Sequence, residues 1–167
     1  MDFELKKWRL DYVKDIAKYA NNKKIADNLR NAFPYPYTED DAKRYINHCI
    51  IKEGDGQVCR AIVVDGEAVG SIGVFFRDDV YSKTAELGYW LAENFWCKGI
   101  MTRAIAQVCE MIFSEYDVVR IYAEPFANNI GSRRVLEKAG FILEGIMKNS
   151  VFKNDTIQDS CMYAMLK

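Results

Sequence analysis

Histidine is nearly absent from this chain, with His48 alone, and its five cysteines, Cys49, Cys59, Cys97, Cys109 and Cys161, contain no Cys-x-x-Cys pair. A metal site would then need a carboxylate-rich cluster; none stands out, so no metal is expected. An odd set of scattered cysteines also argues against a disulfide framework, leaving reduced thiols in a cytoplasmic protein as the expectation. Neither charge sign dominates: 23 basic against 24 acidic residues give a formal net charge of −1. Nothing therefore points to nucleic acid or an anionic membrane as a partner. No apolar run approaches the ~20 residues of a membrane span. The start, Met1-Asp2-Phe3-Glu4, has no signal-peptide pattern. Linkers, repeats and low-complexity tracts are also lacking, so residues 1–167 are read as one domain.

What is present centres on Thr84 to Gln107, TAELGYWLAENFWCKGIMTRAIAQ. Alternation from Thr84 to Leu91 predicts a strand that breaks at Ala92-Glu93-Asn94. Trp96-Cys97-Lys98-Gly99 then leads into helical apolar spacing at Ile100, Ala104, Ile105 and Val108. A helix entered through glycine points unpaired backbone N–H groups, and the positive end of its dipole, at the preceding loop. Phosphate is the natural occupant. Neither GxGxxG nor GxxxxGK[ST] occurs, which excludes the dinucleotide and P-loop patterns.

Around this centre the chain predicts a strand at Phe3 to Trp8 and a helix capped by Asp11, with the stripe Val13, Ile16, Ala17 and Ala20. A second helical stretch is expected from Ile25 to Phe33, followed by an extended Pro34-Tyr35-Pro36-Tyr37. Thr38-Glu39-Asp40-Asp41 predicts a capping box for a helix burying Ala42, Tyr45, Ile46, Cys49 and Ile50, with His48 off that stripe. Strands at Val58 to Val64 and Ala68 to Phe76 flank a type I′ turn at Asp65-Gly66. Later come a strand at Val118 to Glu124, a helix from Asn129 to Ala139 ended by Gly140, and strands at Phe141 to Met147 and Ile157 to Leu166. The order predicts an α/β domain with a mixed, mostly antiparallel sheet and helices on both faces. The strands flanking the central helix form a parallel pair with a right-handed crossover.

Trp96-Cys97-Lys98-Gly99-Ile100-Met101 resembles the acetyl-CoA pyrophosphate loop of the GCN5-related N-acetyltransferases, Q/R-x-x-G-x-G/A, with Trp and Met at the first and sixth places. Glu86-Leu87-Gly88-Tyr89-Trp90-Leu91, Thr102, and the distant Asn129-Ile130-Gly131-Ser132 and Lys138-Ala139-Gly140-Phe141 extend the likeness to the RimJ/RimL branch, which acetylates protein N-terminal amines. That resemblance implies a splayed parallel pair. Acetyl-CoA would lie on Tyr89, Trp90 and Leu91, on the loop Trp96, Cys97, Lys98, Gly99, Ile100, Met101 and Thr102, and on Asn129 and Ser132.

Glu86 shares a strand face with Gly88 and Trp90, away from Leu87, Tyr89 and Leu91. By resemblance it is the general base; a structural carboxylate is the alternative. Relatives with N-x-x-A often place a leaving-group tyrosine four residues after the alanine; here that place is Leu136, so Ser132 is the candidate hydroxyl beside the departing thiolate. Cys97, at a helix N-terminus, is set as an acyl-cysteine relay against the direct attack usual in the family. Tyr35 and Tyr37 are candidates at the acceptor entrance, with packing between helices as the alternative. The expected acceptor is a protein or peptide α-amine, set against a polyamine or amine-bearing drug, and against a non-catalytic acyl-CoA-binding domain. A monomer and a homodimer are both left open.

Overall fold

The computed structural model describes residues 1–167. Two compact units are resolved, one of Met1–Phe75 with Gly88–Ile100, the other of Phe76–Leu87 with Met101–Lys167.

In the first unit, β1 (Glu4–Lys6) pairs antiparallel with β2 (Gln57–Val64), and β2 with β3 (Glu67–Phe76). Asp65 and Gly66 both take positive φ between β2 and β3, as the type I′ turn requires. The helices are α1 (Val13–Ala20), the single turn α2 (Lys23–Ala26) and α3 (Glu39–Ile51). The capping box at α3 is present: Thr38 Oγ1 accepts from Asp41 N–H at 3.2 Å, and Asp41 Oδ2 accepts from Thr38 N–H at 2.9 Å. Ala42, Ile46 and Cys49 face inward, joining Trp8, Tyr12, Ile16, Ala20, Ile25, Tyr37 and Trp90 in one apolar core. Each large aliphatic side chain buried there contributes roughly 1.5–3 kcal/mol before conformational entropy is subtracted.

Three expectations are corrected here. Asp11 does not cap α1; it pairs with Arg9 at 2.5 Å inside a 3-10 turn, Leu10–Tyr12, that precedes the helix. The stretch to Phe33 is not a helix: α2 stops at Ala26, and Asn22, whose side chain accepts from Lys24 N–H, is its cap. Ile50 is exposed, whereas Tyr45, half-buried, packs against the core with its ring 5.5 Å from Trp8. The segment Pro34–Tyr37 contains a cis Tyr35–Pro36 bond.

In the second unit, α4 (Ile100–Glu115, its first residue counted with the first unit) buries Met101, Ala104, Ile105, Val108, Cys109 and Ile112. The remaining elements are β5 (Arg120–Ala123), α5 (Ile130–Lys138), β6 (Ile142–Lys153) and β7 (Thr156–Leu166). β6 runs further than its apolar alternation predicts, because register shifts on either side of Met147 and a positive φ at Asn149 scramble the pattern. β7 pairs antiparallel with both β5 and β6.

The central strand β4 (Thr84–Leu91) is divided between the units, and the ladders run in the order β1-β2-β3-β4-β5-β7-β6, an open seven-stranded mixed sheet. β4 pairs parallel with β5 over only Thr84↔Arg120, Ala85↔Ile121 and Glu86↔Tyr122. β4 itself continues to Leu91. The chain after β5 stays with β7, through Cys161 N–H to Pro125 O and Ala127 N–H to Asp159 O, both 2.9 Å. No helix is long and apolar enough to cross a membrane.

Candidate active site

The end of β4 is held in place by a close approach that only glycine permits. A Cβ on Gly70 of β3 would lie 2.5 Å from Trp90 O and 3.2 Å from Leu91 Cα. Ala92 N–H donates to Val69 O at 2.8 Å, fixing the exit of β4. Trp96 then folds back, its Nε1–H donating to Leu91 O at 2.7 Å. This gives Trp96 a structural task, although 39% of it remains exposed.

Cys97 (φ 60°) and Gly99 (φ 71°) both lie in the left-handed region, turning the backbone sharply before α4. At Cys97 that angle is one that a side chain disfavours and glycine adopts freely. A Cβ on Gly99 would meet nothing within 4 Å, so the loop surface there is open. Beyond it, Ile100 and Met101 are buried, so each presents a ligand only with its backbone, and Met101 is turned inward rather than across the loop. The first turn of α4 carries no acidic residue, and Lys98 lies over the Phe95 ring at 5.2 Å. Open backbone at a helix N-terminus beside a lysine fits a pyrophosphate.

In the second unit, Glu86 is largely buried. Tyr122, its partner across the β4–β5 ladder, donates from its hydroxyl to Glu86 Oε2 at 3.4 Å, and Arg77 Nη1 stands 3.8 Å from the same oxygen. Burial first, then the Glu86 charge, raise the Tyr122 phenol above its ordinary value, so it stays a hydrogen-bond donor at neutral pH. Sequence reasoning missed both partners, since the register of β4 on β5 is a tertiary fact.

On α5, Asn129 is the N-cap and accepts from Ser132 N–H at 3.2 Å, which brings these two candidates together. Ser132 remains half-exposed, whereas Leu136 is fully buried. The fold offers no hydroxyl at position 136.

The two tyrosines differ. Tyr35 is 52% exposed, while Tyr37 is buried, its ring 5.0 Å from Phe33, which in turn meets Trp90 at 5.8 Å. Trp90 is thus a core residue at its ring. His48 is exposed on α3.

A sequence model of the acetyltransferase (GNAT) domain matches residues 2–142. The probable N-acetyltransferase YjcK of Bacillus subtilis is 38% identical over 61% of this chain and 56% of its own length. The ribosomal-protein-serine acetyltransferase of Escherichia coli is 28% identical over 77% of this chain and 72% of its own. The aligned segment spans little more than half of the first Bacillus relatives, 56% and 57%. Among solved structures, the microcin C7 self-immunity acetyltransferase MccE, in complex with acetyl-CoA and AMP, superposes with a TM-score of 0.87 at 22% identity, covering 99% of this chain and 93% of that one. RimL, a ribosomal L7/L12 α-N-protein acetyltransferase in complex with coenzyme A, gives 0.87 at 23% identity, covering 98% and 93%. With the domain model matching most of the chain, residues 2–142, and the fold shared, the chain belongs to the GNAT acetyltransferase family.

Proposed function

We propose that this protein transfers the acetyl group of acetyl-CoA to the α-amine of a protein or peptide. The observation that carries this reading is the run from β4 into α4: a parallel ladder that ends at Glu86, five further residues of strand, and an open left-handed loop at a helix N-terminus. Its support on the acceptor side is the likeness to the ribosomal-protein-serine acetyltransferase and to RimL.

Backbone N–H groups of Cys97 to Thr102, with Lys98, hold the pyrophosphate. The β4 edge beyond Glu86, with Asn129, takes the pantetheine amides. Glu86, kept in place by Tyr122 and Arg77, accepts the amine proton directly or through water. N–H groups from Tyr89 to Leu91 stabilise the oxyanion as the amine adds to the thioester carbonyl. Ser132 donates a hydrogen bond to the sulfur as the carbon–sulfur bond breaks; a thiol ionises near ~8.5, so a weak donor suffices. No covalent intermediate on Cys97 is needed. Five free cysteines suit a reducing, cytoplasmic setting.

An α-amine of pKa ~8 has a usable neutral fraction at pH 7, which a lysine amine near ~10.4 lacks. Glu86→Gln preserves shape and removes the proton acceptor. Its kcat is expected to fall by about 10²-fold at neutral pH and to recover in part as rising pH deprotonates the amine, with acetyl-CoA affinity unchanged. Full activity across pH 6 to 9, roughly the span around the α-amine pKa, would make Glu86 a structural carboxylate.

A further inference from the structure

Two consecutive asparagines join the β4–α4 loop to the segment around Pro36. Asn22 Nδ2 donates to Glu93 Oε2 at 2.8 Å, and Lys24 Nζ bonds to the other oxygen of the same carboxylate. The oxygen of the same Asn22 amide caps α2 by accepting from Lys24 N–H at 2.9 Å. Asn21, one residue earlier, accepts from Tyr37 N–H at 3.0 Å. The corner that carries both asparagines is itself pinned: the Tyr19 ring meets Phe95 edge-on at 5.9 Å, and the Tyr19 hydroxyl donates to Glu67 Oε2 at 2.5 Å. Glu93 and Phe95 belong to the loop, while Tyr37 ends the Pro34–Tyr37 segment. All of these residues lie in the first unit.

Glu93 is an unexpected residue for a loop that takes an anion, since its charge opposes a pyrophosphate by simple repulsion. Lys24 and Asn22 hold that carboxylate, and both lie on or next to the short α2. Anything that fixes the loop thus acts on Glu93, and Glu93 acts on the asparagine corner. Tyr37 is a buried residue whose backbone N–H has the Asn21 side chain as its acceptor.

We propose that Glu93, Asn22 and Asn21 are positioning residues that couple occupancy of the Ala92–Gly99 loop by acetyl-CoA to the setting of the Pro34–Tyr37 segment. The proposal rests on the acetyl-CoA reading of the loop. The coupling is reciprocal, so an acceptor that engages the segment tightens acetyl-CoA by the same factor. Were these bonds only structural, they would be equally strong with the loop empty or filled.

Tyr37 N–H reports the coupling without knowledge of the acceptor. Its hydrogen exchange is measured by NMR with and without saturating acetyl-CoA, alongside the melting temperature. In the wild type, acetyl-CoA slows Tyr37 exchange by about tenfold, within the usual range of coupling between sites. In Asn22→Ser, which keeps a good N-cap for α2 but loses the amide donor to Glu93, the slowing falls below about twofold while acetyl-CoA still raises the melting temperature. Glu93→Ala gives the same result from the other side of the contact. Equal slowing in wild type and both variants, or no slowing in a wild type that acetyl-CoA stabilises, overturns the coupling and leaves the acetyl-CoA reading intact. A wild type whose melting temperature acetyl-CoA does not move overturns both.

Discussion

Gly99 is the position at which the proposed donor site can be broken with least damage to the fold. Its φ of 71° is unfavourable for a side chain, yet a Cβ there would meet nothing within 4 Å. Gly99→Ala therefore costs only the left-handed backbone penalty, about 1–2 kcal/mol, or roughly 2–8 °C in Tm for a chain of this size. Acetyl-CoA at about 100 times its Kd stabilises by about 2.7 kcal/mol, a shift of roughly 5–11 °C. Gly99→Glu carries a similar backbone penalty, but its side chain enters the open space and sets a carboxylate against the pyrophosphate. Scanning fluorimetry over an acetyl-CoA series should show the full shift in the wild type, a reduced shift in Gly99→Ala and none in Gly99→Glu. A folded Gly99→Glu protein that keeps the wild-type shift would remove this loop from the cofactor site.

Ser132→Ala should lower kcat by about tenfold without recovery at high pH, because a deprotonated amine does not replace a donor at sulfur; recovery parallel to that of Glu86→Gln would reassign Ser132 to the amine side. Tyr35→Ala should raise the acceptor KM and leave Tm nearly unchanged, since the ring is exposed, whereas Tyr37→Ala should chiefly lower Tm, since it leaves a cavity beside Phe33; equal Tm losses would contradict the two placements. Hydrogen bonds from the Thr38 backbone and then its side chain hold the Asp41 carboxyl below its ordinary value of 3.8. A depressed folded-state value means stability present above 3.8 and lost as pH falls through the lower folded value. Asp41→Ala should accordingly lower Tm at pH 7, with the gap from wild type closing below about pH 4; a gap independent of pH would exclude the ionised cap.

The elements that the sequence disclosed are those in which one local rule decided the outcome. β4 occupies the bounds its alternation predicts, Thr84 to Leu91, and the Thr38–Asp41 box opens α3 where its pattern says. Asp11 misled because a nearby cation, Arg9, competes for its carboxylate. Asn22 was overlooked as a cap because Asn21-Asn22 has the composition of a loop. β6 is longer than its alternation predicts because the register shifts around Met147 and the positive φ at Asn149 interrupt the pattern, and Phe152 beyond them is apolar yet exposed.

The site divides in the same way. Gly99 and its loop were legible, since a glycine before an amphipathic helix has a mechanical meaning without any tertiary contact. Tyr122 and Arg77 around Glu86 were not, because the first depends on the β4–β5 register and the second on where the chain returns after β3. Glu93 was invisible for a related reason: its partners, Asn22 and Lys24, lie 71 and 69 residues away in sequence.

Acetyl transfer itself is the central claim, and mass spectrometry with isotope-labelled acetyl-CoA tests it most directly. The panel combines peptides bearing free N-termini, the same peptides N-terminally blocked but carrying lysine, and small amines including polyamines. The account predicts labelled acetyl groups on the α-nitrogen of free N-terminal peptides and little on the blocked ones. Label on small amines alone would contradict the α-amine assignment. A protein that acetyl-CoA stabilises but that labels no member of the panel would contradict catalysis and favour an acyl-CoA-binding domain.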